Sequence, residues 1–243
     1  MSLLFVGTAL LLSSYTRSRL PRYLVTYFGA FDGVPDNPTK SLCTASGPAS
    51  LRARLTHIRA SFRFAELPVS SSGVRAAMSL LHPPPPPSIL PRPPPRPLLV
   101  VHLGVDGSQR SASDARFKLE RRAYNELDFR VPDNDGAQPR KTPVDETLGT
   151  DLGEWLGSTL PLDAACTELR ARWGQRVDVS DDAGRFVCNY TLFSTLRRAQ
   201  LEGGGERACF VHVPEFGMIG EGEQGEFLAD FFRTIDALLK AES

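Results

Sequence analysis

The stretch that decides the fold is PLLVVHLGVDG, residues 97–107. It is an almost continuous apolar run between a proline and the turn pair Asp106-Gly107. Such a run is typical of a strand that is buried in the middle of a parallel sheet, because both of its faces must be covered. We therefore predict that residues 97–107 contribute a central parallel strand.

Segments with strand and helix patterns alternate on both sides of this run. The other predicted strands are 22–31, 61–69, 176–180 and 209–213, and the predicted helices are 37–57, 74–81, 162–173, 188–200 and 223–239. Residues 140–162 are polar, and we predict a loop there. This alternation predicts an α/β fold built on a doubly wound sheet.

Composition limits what the chain is and where it works. At 243 residues and 41% hydrophobic content, the chain suits one core, and we assign residues 22–243 to a single domain. The formal net charge is zero and no long basic stretch occurs, which argues against a nucleic-acid partner. The four cysteines form no C-x-x-C pair, so neither a disulfide framework nor a thiolate zinc site is expected. Reduced thiols favour a cytoplasmic location.

Residues 1–21 form an extension ahead of the predicted domain. The apolar run 3–12 has ten residues, whereas a bilayer span needs about 20, so no membrane anchor is expected. Arg17 and Arg19 follow this run, and no acidic residue precedes Asp32. This pattern leaves an organellar transit peptide as the alternative to a cytoplasmic protein with a disordered extension.

A proline-rich segment interrupts the alternation at residues 83–97. It holds ten of the twenty prolines, so we predict a polyproline II insertion on the surface. Arg92 and Arg96 stand beside P-x-x-P spacing, as in ligands of SH3 domains. An interaction scaffold that works through this insertion is therefore one alternative function.

Three short segments each carry one residue suited to thiol catalysis. A cysteine, a histidine and a carboxylate are the minimum set that activates a thiolate and protonates a leaving amine. Together they predict a cysteine peptidase. The segments are LERRAYNELDFRVPDNDGAQP (119–139) with Glu120, DAGRFVCNY (182–190) with Cys188, and FVHVPEFG (210–217) with His212.

Each of these residues also has a simpler structural interpretation. Cys188 falls near the start of a predicted helix, where the helix dipole lowers a thiol pKa, but an isolated cysteine is commonly a packed core residue. His212 lies at the carboxyl end of a predicted strand, where α/β sheets bind ligands, or is a structural histidine. Glu120 has basic neighbours and alone would suggest a surface salt bridge. His102, inside the apolar run, is predicted to be a hydrogen-bonded core residue.

Taken together, the three segments resemble pyroglutamyl peptidase I, a family of cysteine exopeptidases that remove N-terminal pyroglutamate. Residues 183–189 fit the cysteine motif A-G-x-[YF]-x-C-N, and residues 210–214 fit the histidine motif [FV]-x-H-[VIL]-P. Residues 120–134 match the family order of a glutamate, A-x-N and R-x-P-D-N. Residues 27–38 resemble its aromatic loop, G-F-x-P-F-G-G followed by N-P.

The resemblance implies a fold, a substrate and a set of roles. The fold would be a three-layer α/β/α sandwich with a mostly parallel twisted sheet, and no metal or cofactor would be needed. Cys188 would attack the pyroglutamyl carbonyl, His212 would transfer the proton, and Glu120 would orient the imidazole. Because the family includes monomers and tetramers, a homo-oligomer is compatible with it. The implied substrate-binding residues are Phe28, Phe31 and Phe186 around the lactam ring, Asn37 as a polar contact, and Arg130 near the oxyanion.

The chain departs from the family pattern in the aromatic loop. Tyr27 and Asp32 replace glycines, and Ala30 replaces a proline. Since this loop shapes the lactam pocket, the departures leave an inactive or substrate-shifted relative as the main alternative.

Overall fold

The computed structural model describes residues 22–31, 33–47, 50–81, 98–149, 151–203 and 206–242. The extension 1–21 and the proline-rich segment 83–97 lie outside these ranges. The transit peptide, the SH3-type ligand and the division into extension and domain therefore stay predictions. None of the helices described is both long and apolar enough to span a lipid bilayer.

The described residues form eight strands and six α-helices. The strands are β1 (Arg22–Phe28), β2 (Ser61–Leu67), β3 (Leu98–Val105), β4 (Phe117–Glu120), β5 (Arg122–Tyr124), β6 (Trp155–Gly157), β7 (Val177–Ser180) and β8 (Glu206–Val213). The helices are α1 (Pro38–Thr44), α2 (Leu51–Arg54), α3 (Ser71–Leu81), α4 (Leu162–Trp173), α5 (Val187–Leu201) and α6 (Glu221–Ala241), with 3-10 turns at Glu146–Leu148 and Gly174–Arg176.

Six of the strands form one sheet in the order β2-β1-β3-β8-β4-β7. Strands β2, β1, β3 and β8 run parallel, whereas β4 is antiparallel to β8 and carries β7 parallel to itself. The predicted central strand is confirmed, since β3 lies between β1 and β8. The predicted α/β class with a mostly parallel sheet is likewise confirmed.

Helices cover both faces of this sheet and make three layers. Successive residues of β3 point to opposite sides, so Val101 joins a core with Leu42, whereas Val100 joins a core with Phe193. The first core lies under α1, α2, α4 and α6, and the second under α3 and α5. His102 is fully buried, as predicted, and its ring nitrogens lie 2.7 Å and 3.0 Å from threonine hydroxyls.

Two predicted segments are wrong in detail. The helix predicted over 37–57 is two short helices, α1 and α2, because Gly47 adopts a φ of 95° between them. The loop predicted over 140–162 contains strand β6, which pairs with β5 in a separate two-stranded sheet. A three-residue strand has too few residues to display a period-two pattern, so the sequence gives no signal of β6.

Candidate active site

Cys188 is the second residue of α5. The preceding turn forms because Gly184 has a φ of 82° and donates its N–H to the Asp182 carboxylate at 3.0 Å. Val187 begins the helix and is buried in the core, while Cys188 is partly exposed. The first N–H groups of a helix have no partner inside it, and their dipoles favour negative charge. Cys188 therefore lies at the positive end of the α5 dipole.

His212 lies one residue before the end of β8, beside the start of α5. Its Nδ1 lies 2.8 Å from Oε1 of Glu120 on β4. Strand pairing explains this contact, because Glu120 is the register partner of Phe210, two residues before His212 on the same face. The antiparallel direction of β4 thus brings the carboxylate to the imidazole.

Glu120 is a buried partner of His212 and not a surface residue. Its side chain is 1% exposed, and the surface salt bridges next to it are formed by the two arginines that follow it in sequence. Arg121 Nη1 lies 2.8 Å from Asp163, and its Nε lies 2.8 Å from Asp181. These arginines therefore pair with other carboxylates and not with Glu120.

Burial alone would lower the pKa of His212, but its two partners outweigh this effect. The negative charge of the Cys188 sulfur and hydrogen bonds to Cys188 and Glu120 raise the pKa of His212 to about 10. With Nδ1 engaged by Glu120, Nε2 is the nitrogen that faces Cys188. The arrangement favours a protonated imidazole in contact with the Cys188 sulfur at neutral pH.

The other three cysteines lie buried among apolar side chains. Burial raises the pKa of Cys43 to about 12 and raises those of Cys166 and Cys209 above the ordinary thiol value. Buried thiols of this kind are poor nucleophiles because they remain protonated. Of the four cysteines, Cys188 alone combines partial exposure with a histidine partner.

A small cavity lies next to the Cys188 sulfur. It contains four of the five substrate-binding residues that the resemblance implied, and apart from Asn37 and Cys188 the lining is apolar or glycine. The lining consists of Phe28, Phe31, Asn37, Val69, Gly104, Val105, Phe186, Val187 and Cys188.

Aromatic rings support two sides of this cavity. The Phe31 and Phe186 centroids are 6.5 Å apart with a 40° angle between the rings. Phe28 is almost fully buried and stacks on Phe210 at 6.3 Å, so it forms the floor rather than the rim. Phe129, which the sequence did not single out, packs on Phe186 at 4.6 Å and fixes that ring.

Asn37 both lines the cavity and holds the loop before α1. Its Oδ1 caps α1 by accepting the Thr39 N–H at 3.0 Å, and its Nδ2 donates to the Gly29 carbonyl at 3.0 Å. These bonds bind the end of the aromatic loop to its beginning. The predicted polar contact with a substrate remains a prediction.

Arg130 is placed differently from the other predicted residues. It is exposed, and it does not belong to the cavity lining. Its backbone is anchored next to the cavity, since Phe129 is buried and Gln138 Nε2 donates to the Arg130 carbonyl at 3.1 Å. Its predicted role at the oxyanion stays a prediction.

Gly104 is a site residue that the sequence analysis did not select. It lies on β3 as the register partner of His212. A Cβ at this position would lie 2.6 Å from the Phe210 ring and 3.4 Å from Cys188 Sγ. A glycine inside a buried strand often marks such a close approach. Its position inside the apolar run 97–107 is therefore the sequence signal that could have identified Gly104.

Two asparagines tie the loops around the site together. Asn189 is fully buried, accepts the Tyr124 N–H at 2.8 Å and donates to the Tyr124 and Glu126 carbonyls at 2.9 Å. Asn134, in the P-D-N-D-G turn, donates to the Ala30 carbonyl of the aromatic loop at 3.0 Å. The sequence indicated only a tight turn at this second position.

A comparison with protein families gives a match that includes Glu120, Cys188 and His212. The family model described as pyroglutamyl peptidase matches residues 95–225. The pyrrolidone-carboxylate peptidase of Thermococcus litoralis is 30% identical over 195 residues, 80% of this chain and 77% of the relative. That of Klebsiella pneumoniae is 39% identical over 119 residues, 49% of this chain and 50% of the relative.

Solved structures agree with the fold. Pyrrolidone carboxyl peptidase from Thermococcus litoralis superposes with a TM-score of 0.68 at 24% identity, over 91% of this chain and 96% of its own. Pyroglutamyl peptidase I from Bacillus amyloliquefaciens superposes with a TM-score of 0.64 at 20% identity, over 89% and 95%. At these identities the likeness establishes a shared three-layer architecture.

Proposed function

Since this chain belongs to the pyroglutamyl peptidase family of cysteine peptidases, we propose that it removes N-terminal pyroglutamate from peptides. One observation carries the proposal. Cys188, at the start of α5 and in contact with the Glu120-bound His212, borders a small apolar cavity with aromatic walls. Nucleophile, proton carrier and a slot for a flat ring are thus adjacent.

The proposed reaction proceeds through a thioester. The Cys188 sulfur attacks the carbonyl carbon of the pyroglutamyl residue, and the C=O electrons move to oxygen. Amide N–H groups at the start of α5 stabilise this oxyanion. As the oxyanion collapses, the C–N bond breaks and His212 gives its proton to the departing amine. Pyroglutamate is then bound to sulfur, and the shortened peptide leaves.

Hydrolysis of the thioester completes the cycle. His212, now neutral, accepts a proton from water as the water oxygen attacks the thioester carbonyl. Release of pyroglutamate regenerates the Cys188 thiolate and the imidazolium. Through both steps Glu120 accepts the Nδ1–H bond, which fixes the ring and stabilises its positive charge.

The cavity supports a neutral lactam as the recognised group. Apart from Cys188 itself, none of its described lining residues has an ionisable side chain. A free glutamyl residue would bring a carboxylate and an ammonium group into this lining without charged partners, at a considerable cost in desolvation. The lactam, formed by condensing these two groups, carries neither charge.

A fluorogenic assay tests the proposal. The pyroglutamyl derivative of aminomethylcoumarin is compared with prolyl and glutamyl derivatives, using wild-type protein and Cys188→Ala under reducing conditions. We expect turnover of the pyroglutamyl compound alone and its loss in Cys188→Ala. Turnover that survives in this variant would contradict the assignment of Cys188 as nucleophile.

Absence of turnover by a folded, reduced wild-type protein would contradict the proposed peptidase activity. Binding of pyroglutamate to the protein, measured by calorimetry, then locates the failure. Binding without turnover would indicate an inactive triad, whereas no binding would indicate a changed pocket.

A further inference from the structure

The loop between β3 and β4, residues 106–116, crosses the end of β8 that carries His212. Strands β3 and β4 both pair with β8, and they run in opposite directions. The chain therefore leaves β3 and enters β4 at the same edge of the sheet. Asp106 N–H donates to the Val213 carbonyl at 2.8 Å, which fastens the loop to the end of β8.

The site residues follow a consistent order across this edge. Phe28 of β1 and Gly104 of β3 lie at the cavity, and His212 of β8 comes next. Lys118 of β4 follows as the direct register partner of His212, with its side chain on the same face. Because His212 protonates the leaving amine, the leaving part of a substrate departs on the β4 side, away from the lactam cavity.

A cleft lies on that side. Its walls are residues 108–111, Asp114, Arg116 and Lys118. The lining carries three cationic side chains, those of Arg110, Arg116 and Lys118, against the one carboxylate of Asp114. A cleft of this composition favours an anionic group.

The three cations differ in how far other groups of the protein neutralise them. Lys118 Nζ forms an ion pair with Asp106 at 2.7 Å. Arg116 donates to the backbone carbonyl of Gln175 at 2.7 Å, and Arg110 likewise donates to backbone carbonyls. Within the described part of the chain, neither arginine has a carboxylate at salt-bridge distance. Their charge is therefore available to a bound anion.

We propose that this cleft is the subsite for the leaving part of the substrate and that Arg110 and Arg116 select a carboxylate there. The inference rests on the proposed function and names the substrate class of the same site. Guanidinium groups match carboxylates through paired N–H donors. Such a carboxylate has two sources: the free C-terminus of a pyroglutamyl dipeptide, or an acidic side chain directly after pyroglutamate in a longer peptide.

Nearby acidic groups limit the size of the effect. Asp114 shares the lining, Asp106 neutralises Lys118, and Glu215 approaches the loop backbone near Gly107. Arg110 is exposed and Arg116 half-buried, so solvent and salt screen both charges. A preference of about fivefold to tenfold is expected, which corresponds to one or two charge-assisted contacts.

Two matched pairs of substrates test the subsite and separate the sources. Pyroglutamyl-alanine is compared with its amide, and pyroglutamyl-glutamyl-alanine amide with its glutaminyl analogue. For each pair we measure the ratio of kcat/KM values, acid over neutral, at low salt. We expect a ratio of about five to ten in at least one pair, and the pair that shows it identifies the source. Added salt should reduce the ratio.

Variants connect this ratio to the cleft. In Arg110→Gln combined with Arg116→Gln we expect the ratio to fall to about one, because the cations are removed. Arg63→Gln is the matched control, since Arg63 is exposed on the outer strand β2, and it should keep the wild-type ratio. A wild-type ratio of one or less in both pairs, or a ratio unchanged in the double variant, would overturn the subsite.

The two proposals fail in distinguishable ways. Cleavage of all four substrates without an acid preference would overturn the carboxylate subsite and leave the pyroglutamyl peptidase activity intact. Cleavage of none of them by folded, reduced protein would overturn both. The wild-type ratio and its salt dependence need no variant, so a variant that fails to fold does not prevent the test.

Discussion

Cys188 and His212 are positioned by regular secondary structure, whereas Phe31 is positioned by a loop. The proposed triad residues lie at the start of a fifteen-residue helix and on two paired strands of the main sheet. In the described part of the aromatic loop, Phe31 and Val34 form a β-bridge, and a few side-chain hydrogen bonds hold the loop. The proposed triad is thus held by regular secondary structure, and the proposed substrate slot by a few loop contacts.

The departures from the family pattern differ in where they lie. Of these, Tyr27 is on β1 and packs in the core under α1 and α6, on the opposite face from the cavity. Its replacement of a glycine therefore does not reach the cavity wall. Ala30 is exposed, and Asp32 lies outside the described residues. Substitutions in the two parts should accordingly affect kcat and KM differently.

The largest effect is expected from changes in the triad itself. His212→Ala removes the proposed proton carrier and should lower kcat/KM by about three to four orders of magnitude. Glu120→Gln keeps an amide oxygen that can accept the Nδ1–H bond and should cost less. Kinetics with the pyroglutamyl coumarin substrate and far-UV circular dichroism check activity and folding together. More than a tenth of wild-type activity in folded His212→Ala would contradict the role of His212.

Gly104→Ala tests whether the triad depends on close packing behind it. The new Cβ would meet the buried Phe210 ring at 2.6 Å, and overpacking of this kind costs about 1–3 kcal/mol of stability. Because the same atom approaches Cys188 Sγ, we expect kcat to fall by about tenfold to a hundredfold. Gly222→Ala, in open space at the start of α6, is the control and should leave kcat unchanged without lowering stability. A Gly104→Ala protein with wild-type kcat would show that the close packing at Gly104 does not determine the position of the Cys188 sulfur.

The pKa of His212 tests the contact between its imidazole and the Cys188 sulfur. Its pKa, raised to about 10, should fall in Cys188→Ala because the charge of the sulfur is the largest contribution that raises it. A histidine with a raised folded-state pKa stabilises the fold fully below about pH 6.5, and this contribution is lost as the pH rises to about 10. Histidine titration by NMR, with urea unfolding across this range, measures both. An unchanged His212 pKa in Cys188→Ala would contradict the proposed ion pair.

The sequence predicted the elements of the site better than their contacts. The local sequence pattern predicts Cys188 at the start of a helix and His212 near the end of a strand, and the structure has both residues at these positions. The burial of Glu120 could not be predicted, because it depends on the antiparallel register of β4 against β8, which is a tertiary property. The hydrogen bond of Asn134 could not be predicted for the same reason, since its partner Ala30 is 104 residues away and the local sequence indicates only a turn.

Asn134→Ala tests whether the aromatic loop can be loosened without affecting the proposed triad, and its expected effect is the smallest of these predictions. The Asn134 amide donates to the Ala30 carbonyl, and loss of one such bond costs about 0.5–1.5 kcal/mol. We expect Phe31 to be held less firmly opposite Phe186, so KM should rise about threefold to tenfold while kcat stays near the wild-type value. Asp135→Asn, in the same turn, is the control, because Asp135 bonds Ser72 and not the loop. A fall in kcat at unchanged KM would mean that the turn acts on the triad, and the loop would then not be an independent part of the site.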